Sequence, residues 1–188
     1  MKKIIAVLLL GIMMLSAVGC SSVEQQPGGN DVIIVVEGYG EISVRLTPEN
    51  APITVNNFKK LINEGAYDGT IFHRVINNFM IQGGDTTLTA YGEADNIKGE
   101  FSNNGVKNNL AHTRGVISMA RVGGMNNSAN SQFFICQKDC SWLDGDYAAF
   151  GYVTAGMEIV DAIANVPTSA WNDQPIEDIV ITTIKFAE

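Results

Sequence analysis

Apolar residues recur along this chain with two periods, and the points where the period changes mark its elements. Asp31–Glu37 and Glu41–Leu46 are rich in β-branched residues and flank Gly38-Tyr39-Gly40, which predicts a hairpin. Ile42, Val44 and Leu46 alternate with polar residues, so one face of the second strand is expected to be buried. From Pro52 to about Glu64 the spacing turns helical: Val55, Phe58, Leu61 and Ile62 form a stripe, proline suits the first turn, and Gly65 ends it. A second helix is predicted from Gly156 to about Asn165, with Ile159, Val160 and Ile163 inward. Ile179–Phe186 reads as a closing strand, Ser131–Cys136 as a short apolar strand, and Ser141–Gly145 as a turn carrying Trp142 and Leu143. Residues 86–114, rich in Gly, Asn and Thr, read mostly as loop, and no internal repeat is present. Many short strands with two helices predict one mainly β domain over residues 31–188, a closed antiparallel barrel with helices over its ends.

The segment Phe72–Asp85 carries the most chemistry. Alternation from Arg74 to Gln82 predicts extended backbone, with Arg74, Ile76, Asn78, Met80 and Gln82 on one side. A guanidinium and an amide among apolar side chains suit a site that grips a neutral, partly apolar group and donates a hydrogen bond to it. No carboxylate pair, serine–histidine couple or metal-ligand cluster accompanies the segment, so hydrolysis is not expected. Arginine in a strand is more often solvated or ion-paired than functional, and aromatics there are more often core, so the segment alone is evenly balanced.

A second segment, residues 115–151, shifts that balance. The motifs FHRVI-x-NFMIQGGD, GVISMA, SQFFI and WLDG occur in order, and together they resemble the cyclophilin family of peptidyl-prolyl cis–trans isomerases across roughly residues 31–187. The resemblance implies eight strands in the barrel, turnover without a cofactor or metal, and a monomer. It implies Arg74 as the catalytic arginine, with Gln82 and Gln132 positioning it and the peptide. Phe79, Met80, Phe134 and Leu143 would form the proline pocket. Ala120 and Arg121 would lie on the edge that pairs with the substrate backbone. Trp142 would border the pocket and carry cyclosporin binding, and Tyr147 would face the substrate from the far side. Three positions depart from the family pattern: Asn77 where proline is usual, Arg121 where many members have asparagine, and Tyr147 where eukaryotic members often have histidine. Those last two favour the alternative reading, a proline-peptide binding module or chaperone with little turnover; the intact Arg74, Phe79, Gln82 and Phe134 favour the enzyme. The implied substrates are proline-containing segments of unfolded or exported proteins.

The beginning of the chain addresses location. Met1-Lys2-Lys3, an apolar run from Ile4 to Val18 and then Gly19-Cys20-Ser21-Ser22 describe a signal peptide over residues 1–19. Its end resembles a bacterial lipoprotein signal, which implies a lipidated Cys20, although Ala17 stands where leucine is usual. The apolar run is short for a spanning helix. Residues 20–30 read as a flexible tether, and a stretch of about ten such residues spans about 17–19 Å. The expected protein is therefore exported and held to a bacterial membrane by lipid alone, its domain on the extracytoplasmic side.

Charge narrows the partners. Twelve basic and twenty acidic residues give −8, and loss of Lys2 and Lys3 with the leader takes −8 to −10. That disfavours nucleic acid and anionic lipid as direct partners. Cys136 and Cys140 are expected as two free thiols rather than a bridge, since an extended strand holds such positions apart. Neither they nor His73 and His112 have the spacing of a metal site.

Overall fold

The computed structural model describes residues 26–188. The signal peptide and Cys20 expected from the sequence lie outside the described residues. Residues 26–30, the end of the expected tether, lie against the first helix. Lys59 Nζ donates to Gly28 O at 3.0 Å and to Asn30 Oδ1 at 2.9 Å, and Leu46 N donates to Asn30 O at 2.7 Å. The free length expected for the tether therefore does not run through these residues.

Eight strands form one sheet: β1 (Asp31–Val36), β2 (Gly40–Leu46), β3 (Arg74–Ile76), β4 (Met80–Gly83), β5 (Val116–Met119), β6 (Phe133–Cys136), β7 (Ala149–Ala155) and β8 (Ile181–Phe186). Their order is β3-β4-β6-β5-β7-β2-β1-β8, and every neighbouring pair is antiparallel. The expected closure is not found. β3 and β8 share no ladder, and the sheet is an open half-barrel. One bridge, Ile71 to Val180, and hydrogen bonds such as Phe72 N to Ile179 O at 2.9 Å span the gap. The reason lies in β3, which is three residues long. Its outward amide, Val75 N, donates to Asp173 O of a loop at 2.8 Å rather than to a strand.

The two helices fall where the periodicity placed them, α1 at Pro52–Asn63 and α2 at Met157–Ala164. α1 inserts Phe58 into the concave interior, where its ring lies 5.1 Å from those of Tyr67 and Phe150 and 5.7 Å from that of Phe133. α2 buries Val160, Ile163 and Ala164 and packs against β2, β3 and β4. It starts at Gly156, whose φ is +90° and whose absent Cβ would lie 2.6 Å from Glu41 O, so only glycine fits. The half-barrel encloses the main core, and a smaller apolar cluster of Met80, Phe134, Cys136 and Cys140 lies outside it.

Residues 86–114 are loop apart from two short 3-10 turns, yet one of them serves α1. That helix follows Ala51, which has no side chain able to cap it. Its first amides instead reach Glu100, a carboxylate only 2% exposed. Ile53 N donates to Oε1 at 3.0 Å, Thr54 N to Oε2 at 2.8 Å, and the Thr54 hydroxyl to Oε2 at 2.7 Å. The negative charge also suits the positive end of the helix dipole. Glu100→Ala leaves the buried Thr54 amide and the half-buried Ile53 amide without an acceptor, and a loss on the order of 3 kcal/mol is expected. Urea denaturation measures it, with Glu100→Gln losing less because one carbonyl acceptor remains.

Candidate active site

The site begins with a hairpin where the alternation predicted a single strand. β3 and β4 are joined by a turn through Asn77–Phe79, with Asn78 at φ +63° and Phe79 N bonded to Ile76 O at 3.1 Å. The straight-strand expectation fails because asparagine tolerates the left-handed conformation that reverses the chain. Asn78 consequently sits exposed at the tip and away from the site. Arg74 and Gln82 still share a face, because they are direct partners across the hairpin. After β4, Gly84 turns the chain at φ +76°, and its missing Cβ would lie 2.7 Å from the Phe133 ring. The Gly-Gly of the motif thus serves packing.

Register extends that face. Gln82 pairs with Phe134 of β6, and Phe134 with Ser118 of β5. Around this row lies a cavity of about 120 Å³. Arg74, Gln82, Ala120 and Arg121 bring its polar groups and backbone; Phe79, Met80, Phe134, Leu143 and Tyr147 bring its apolar wall. Gln132 lies in an adjoining cavity of about 160 Å³ that shares Gln82, Ala120 and Arg121. Trp142 is outside both, 63% exposed, with its ring 5.7 Å from that of Phe79. Ala120 N is already bonded to Gln132 O at 2.9 Å.

Two polar contacts differ from expectation. Gln82 does not brace Arg74: its Nε2 donates to Gln132 Oε1 at 3.0 Å. The residue that faces the guanidinium is Asp173, whose Oδ2 lies 3.5 Å from Arg74 Nε. Asp173 stands at φ +58°, a left-handed setting that aspartate, like asparagine, tolerates, and its carbonyl holds Val75 N. Nothing local in the sequence pairs positions 74 and 173; only the signal of an Asn-Asp turn was present.

Behind the apolar wall is a second arrangement the sequence did not reveal. The His112 ring stacks on Phe134 at 6.1 Å, bonds Asp144 Oδ1 through Nδ1 at 2.8 Å, and bonds Ser118 Oγ through Nε2 at 3.0 Å. These are the residue types of a hydrolytic triad. The hydroxyl of Ser118 is completely buried, however, so the chain of hydrogen bonds braces Phe134 and offers no nucleophile. Burial lowers the His112 pKa against the opposing pull of Asp144. Burial would raise the Asp144 carboxyl, but hydrogen bonds from His112 outweigh it and hold the pKa below its ordinary value. Cys136 and Cys140 are buried free thiols, and burial pushes the Cys136 thiol far up, away from nucleophilic use. Among the described residues no three His, Cys, Asp or Glu side chains are grouped as a metal site.

Arg121 and Tyr147, two of the three positions expected to depart from the family pattern, turn out to be one unit. The Arg121 guanidinium lies 4.7 Å from the centre of the Tyr147 ring and 5.3 Å from that of Phe101. Its Nε donates to Asp146 O at 2.8 Å. Tyr147 in turn meets Phe134 edge-on at 5.8 Å.

The open antiparallel half-barrel carries a cleft with Arg74 and Arg121 beside an apolar wall, and among the described residues no accessible nucleophile lines it, an arrangement suited to binding a peptide without covalent chemistry. Comparison with known proteins makes this specific. Residues 32–186 match the family model described as cyclophilin type peptidyl-prolyl cis–trans isomerase/CLD. A peptidyl-prolyl cis–trans isomerase of Acinetobacter baylyi is 44% identical over 149 residues, covering 76% of each chain. A peptidyl-prolyl cis–trans isomerase-like 1 of Gibberella zeae is 39% identical over 157 residues, covering 83% of this chain and 94% of its own. The crystal structure of a Cryptosporidium parvum cyclophilin in the presence of the dipeptide Ala-Pro superposes with a TM-score of 0.75 at 32% identity, covering 84% of this chain and 99% of that one. The chain belongs to the cyclophilin-type peptidyl-prolyl cis–trans isomerase family, and its enzyme class is EC 5.2.1.8.

Both described histidines have lowered pKa values, His73 again chiefly by burial. The folded protein therefore stays neutral where the unfolded chain takes up protons. Their contribution to stability is full above about pH 6.5 and falls as pH drops through that value. Urea midpoints are expected to be lower at pH 5 than at pH 7.5, with a smaller drop in His112→Gln.

Proposed function

We propose that the cleft catalyses rotation about X–Pro bonds, with Arg74 as donor and the wall of Phe79, Met80, Phe134 and Leu143 as the proline seat. Rotation must break amide resonance, a barrier of roughly 18–20 kcal/mol. Uncatalysed, it takes tens to hundreds of seconds at about 25 °C. In the twisted state the proline nitrogen regains its lone pair. A guanidinium N–H aimed at that nitrogen binds the transition state better than the planar ground state, the kind of binding that raises turnover. The planar amide is also the more dipolar form, so an apolar seat disfavours it relatively. Asp173, on the Nε side of Arg74, leaves the planar fork available to the substrate. Gln82 and Gln132, bonded to each other, orient the peptide backbone.

The observation that carries this reading is Arg74 in the lining of a small cavity that has an apolar wall and no nucleophile. Arg74 is partly exposed and its ion pair with Asp173 is long, so its removal costs little stability. Arg74→Ala is expected to lower kcat/KM on a short X–Pro peptide by about 100-fold with an unchanged circular dichroism spectrum. Near-wild-type turnover in that variant would refute the mechanism.

The start of the chain supports a setting for this activity. We propose that the domain works on exported proteins from a membrane to which Cys20 lipid anchors it. One acyl chain binds only marginally, whereas two or more anchor stably. The acidic chain adds no attraction to anionic lipid. Mass spectrometry of the mature N-terminus is expected to show an acylated Cys20, and Cys20→Ser to abolish detergent-dependent membrane retention. An unmodified terminus, or one beginning elsewhere, would sink the anchor.

A further inference from the structure

The seam between the two cavities points to a substrate preference. Two arginines, Arg74 and Arg121, line the pair of cavities, and no aspartate or glutamate does. In a chain with twenty acidic and twelve basic residues this is a local inversion of sign. Arg74 has Asp173 beside it. Arg121 makes no ion pair among the described residues. Its guanidinium is held by two carbonyls, Asp146 O and Val122 O, and by the faces of Phe101 and Tyr147. These contacts fix its position without neutralising it, and they leave Nη2 without an acceptor.

The second cavity adds an independent argument. Most of its side-chain acceptors are already engaged, with Gln82 Oε1 the exception. Asn130 Oδ1 takes Ser131 N at 2.6 Å, and Gln132 Oε1 takes Gln82 Nε2 at 3.0 Å. The Ser128 hydroxyl accepts from Val122 N at 2.9 Å and donates to Met125 O at 2.8 Å. The polar capacity that remains is largely donating: the amide nitrogens of Asn130 and Gln132, and the guanidinium. A carboxylate is the side chain that only accepts.

We infer that Arg121 is a specificity-determining residue that selects peptides with an acidic side chain close to the proline. The inference rests on the isomerase reading above, because it assumes that the peptide lies across both cavities. The proline ring occupies the apolar cavity, and a neighbouring Asp or Glu reaches over Ala120 into the donor-lined one. Ordering of Arg121 by its aromatic neighbours lowers the entropic cost of the contact. The contact remains partly solvated, so the preference is modest and sensitive to salt.

The test compares peptides of one sequence in which Glu or its neutral isostere Gln is placed at each of two positions before and after the proline. At low salt, kcat/KM is expected to be roughly fivefold higher for Glu at one of these positions. The ratio should fall toward one in 0.5 M salt, where the screening length shrinks to about 4 Å, the scale of the contact itself. In Arg121→Gln the ratio should be close to one, and in Arg121→Lys it should be partly retained. Circular dichroism confirms that each variant is folded. A Glu/Gln ratio of one at every position in the wild type, or a ratio unchanged in Arg121→Gln, overturns the inference. Calorimetric titration of the same peptides reads the preference independently of turnover. If binding discriminates but no peptide is isomerised, the isomerase reading falls and the anion preference stands.

Discussion

Strand register is the constraint on which this molecule depends. Arg74, Gln82, Phe134, Ser118 and Ala149 form one row across β3, β4, β6, β5 and β7, each paired with the next. The adjacent row, Val75, Ile81, Ile135 and Ile117, points into the enclosed core. Because side chains alternate with a period of two, a slip of one residue would bury Arg74 and expose the core isoleucines. The apolar row therefore holds the cleft-facing row in place, and burial of the first is what positions the second.

The outer face is built as a stack. Phe134 forms the floor of the apolar cavity, His112 lies beneath it, and Asp144 and Ser118 grip the two nitrogens of that histidine. Cys136 and Cys140 fill the space beside it. All are buried except Asp144, which closes the stack from the solvent side. Such a support suits non-covalent chemistry, in which nothing is transferred and the whole effect comes from holding a donor and an apolar surface at fixed separation. The residue types of a triad are present, but sealed in the sheet they act as scaffold.

The open seam of the half-barrel has its own use. Where β3 would meet β8, the loop carrying Asp173 intervenes, taking Val75 N with its carbonyl and facing Arg74 with its carboxylate. The incomplete ladder is thus the place where the chain reaches the arginine from outside. Elsewhere in the cleft lining, Arg121 stacks on Tyr147.

Local pattern determined a good deal by itself. The β1–β2 hairpin, both helices and β8 were legible because each depends on a short periodic run and on glycine or proline at its ends. Nine of the eleven residues named from the resemblance line one cavity, seven of them inside the four motifs. What tertiary structure decided were the relations between distant positions. Arg74 to Asp173, His112 to Asp144 and Ser118, Glu100 to the start of α1, and Arg121 between Phe101 and Tyr147 join positions too far apart for any periodicity to connect. The same holds for openness: whether the first and last strands of a sheet meet depends on the curl of all eight, and here a three-residue β3 and one intervening loop kept them apart. Periodicity reports which face a residue turns to its neighbours, whereas partnership is set by where the chain returns.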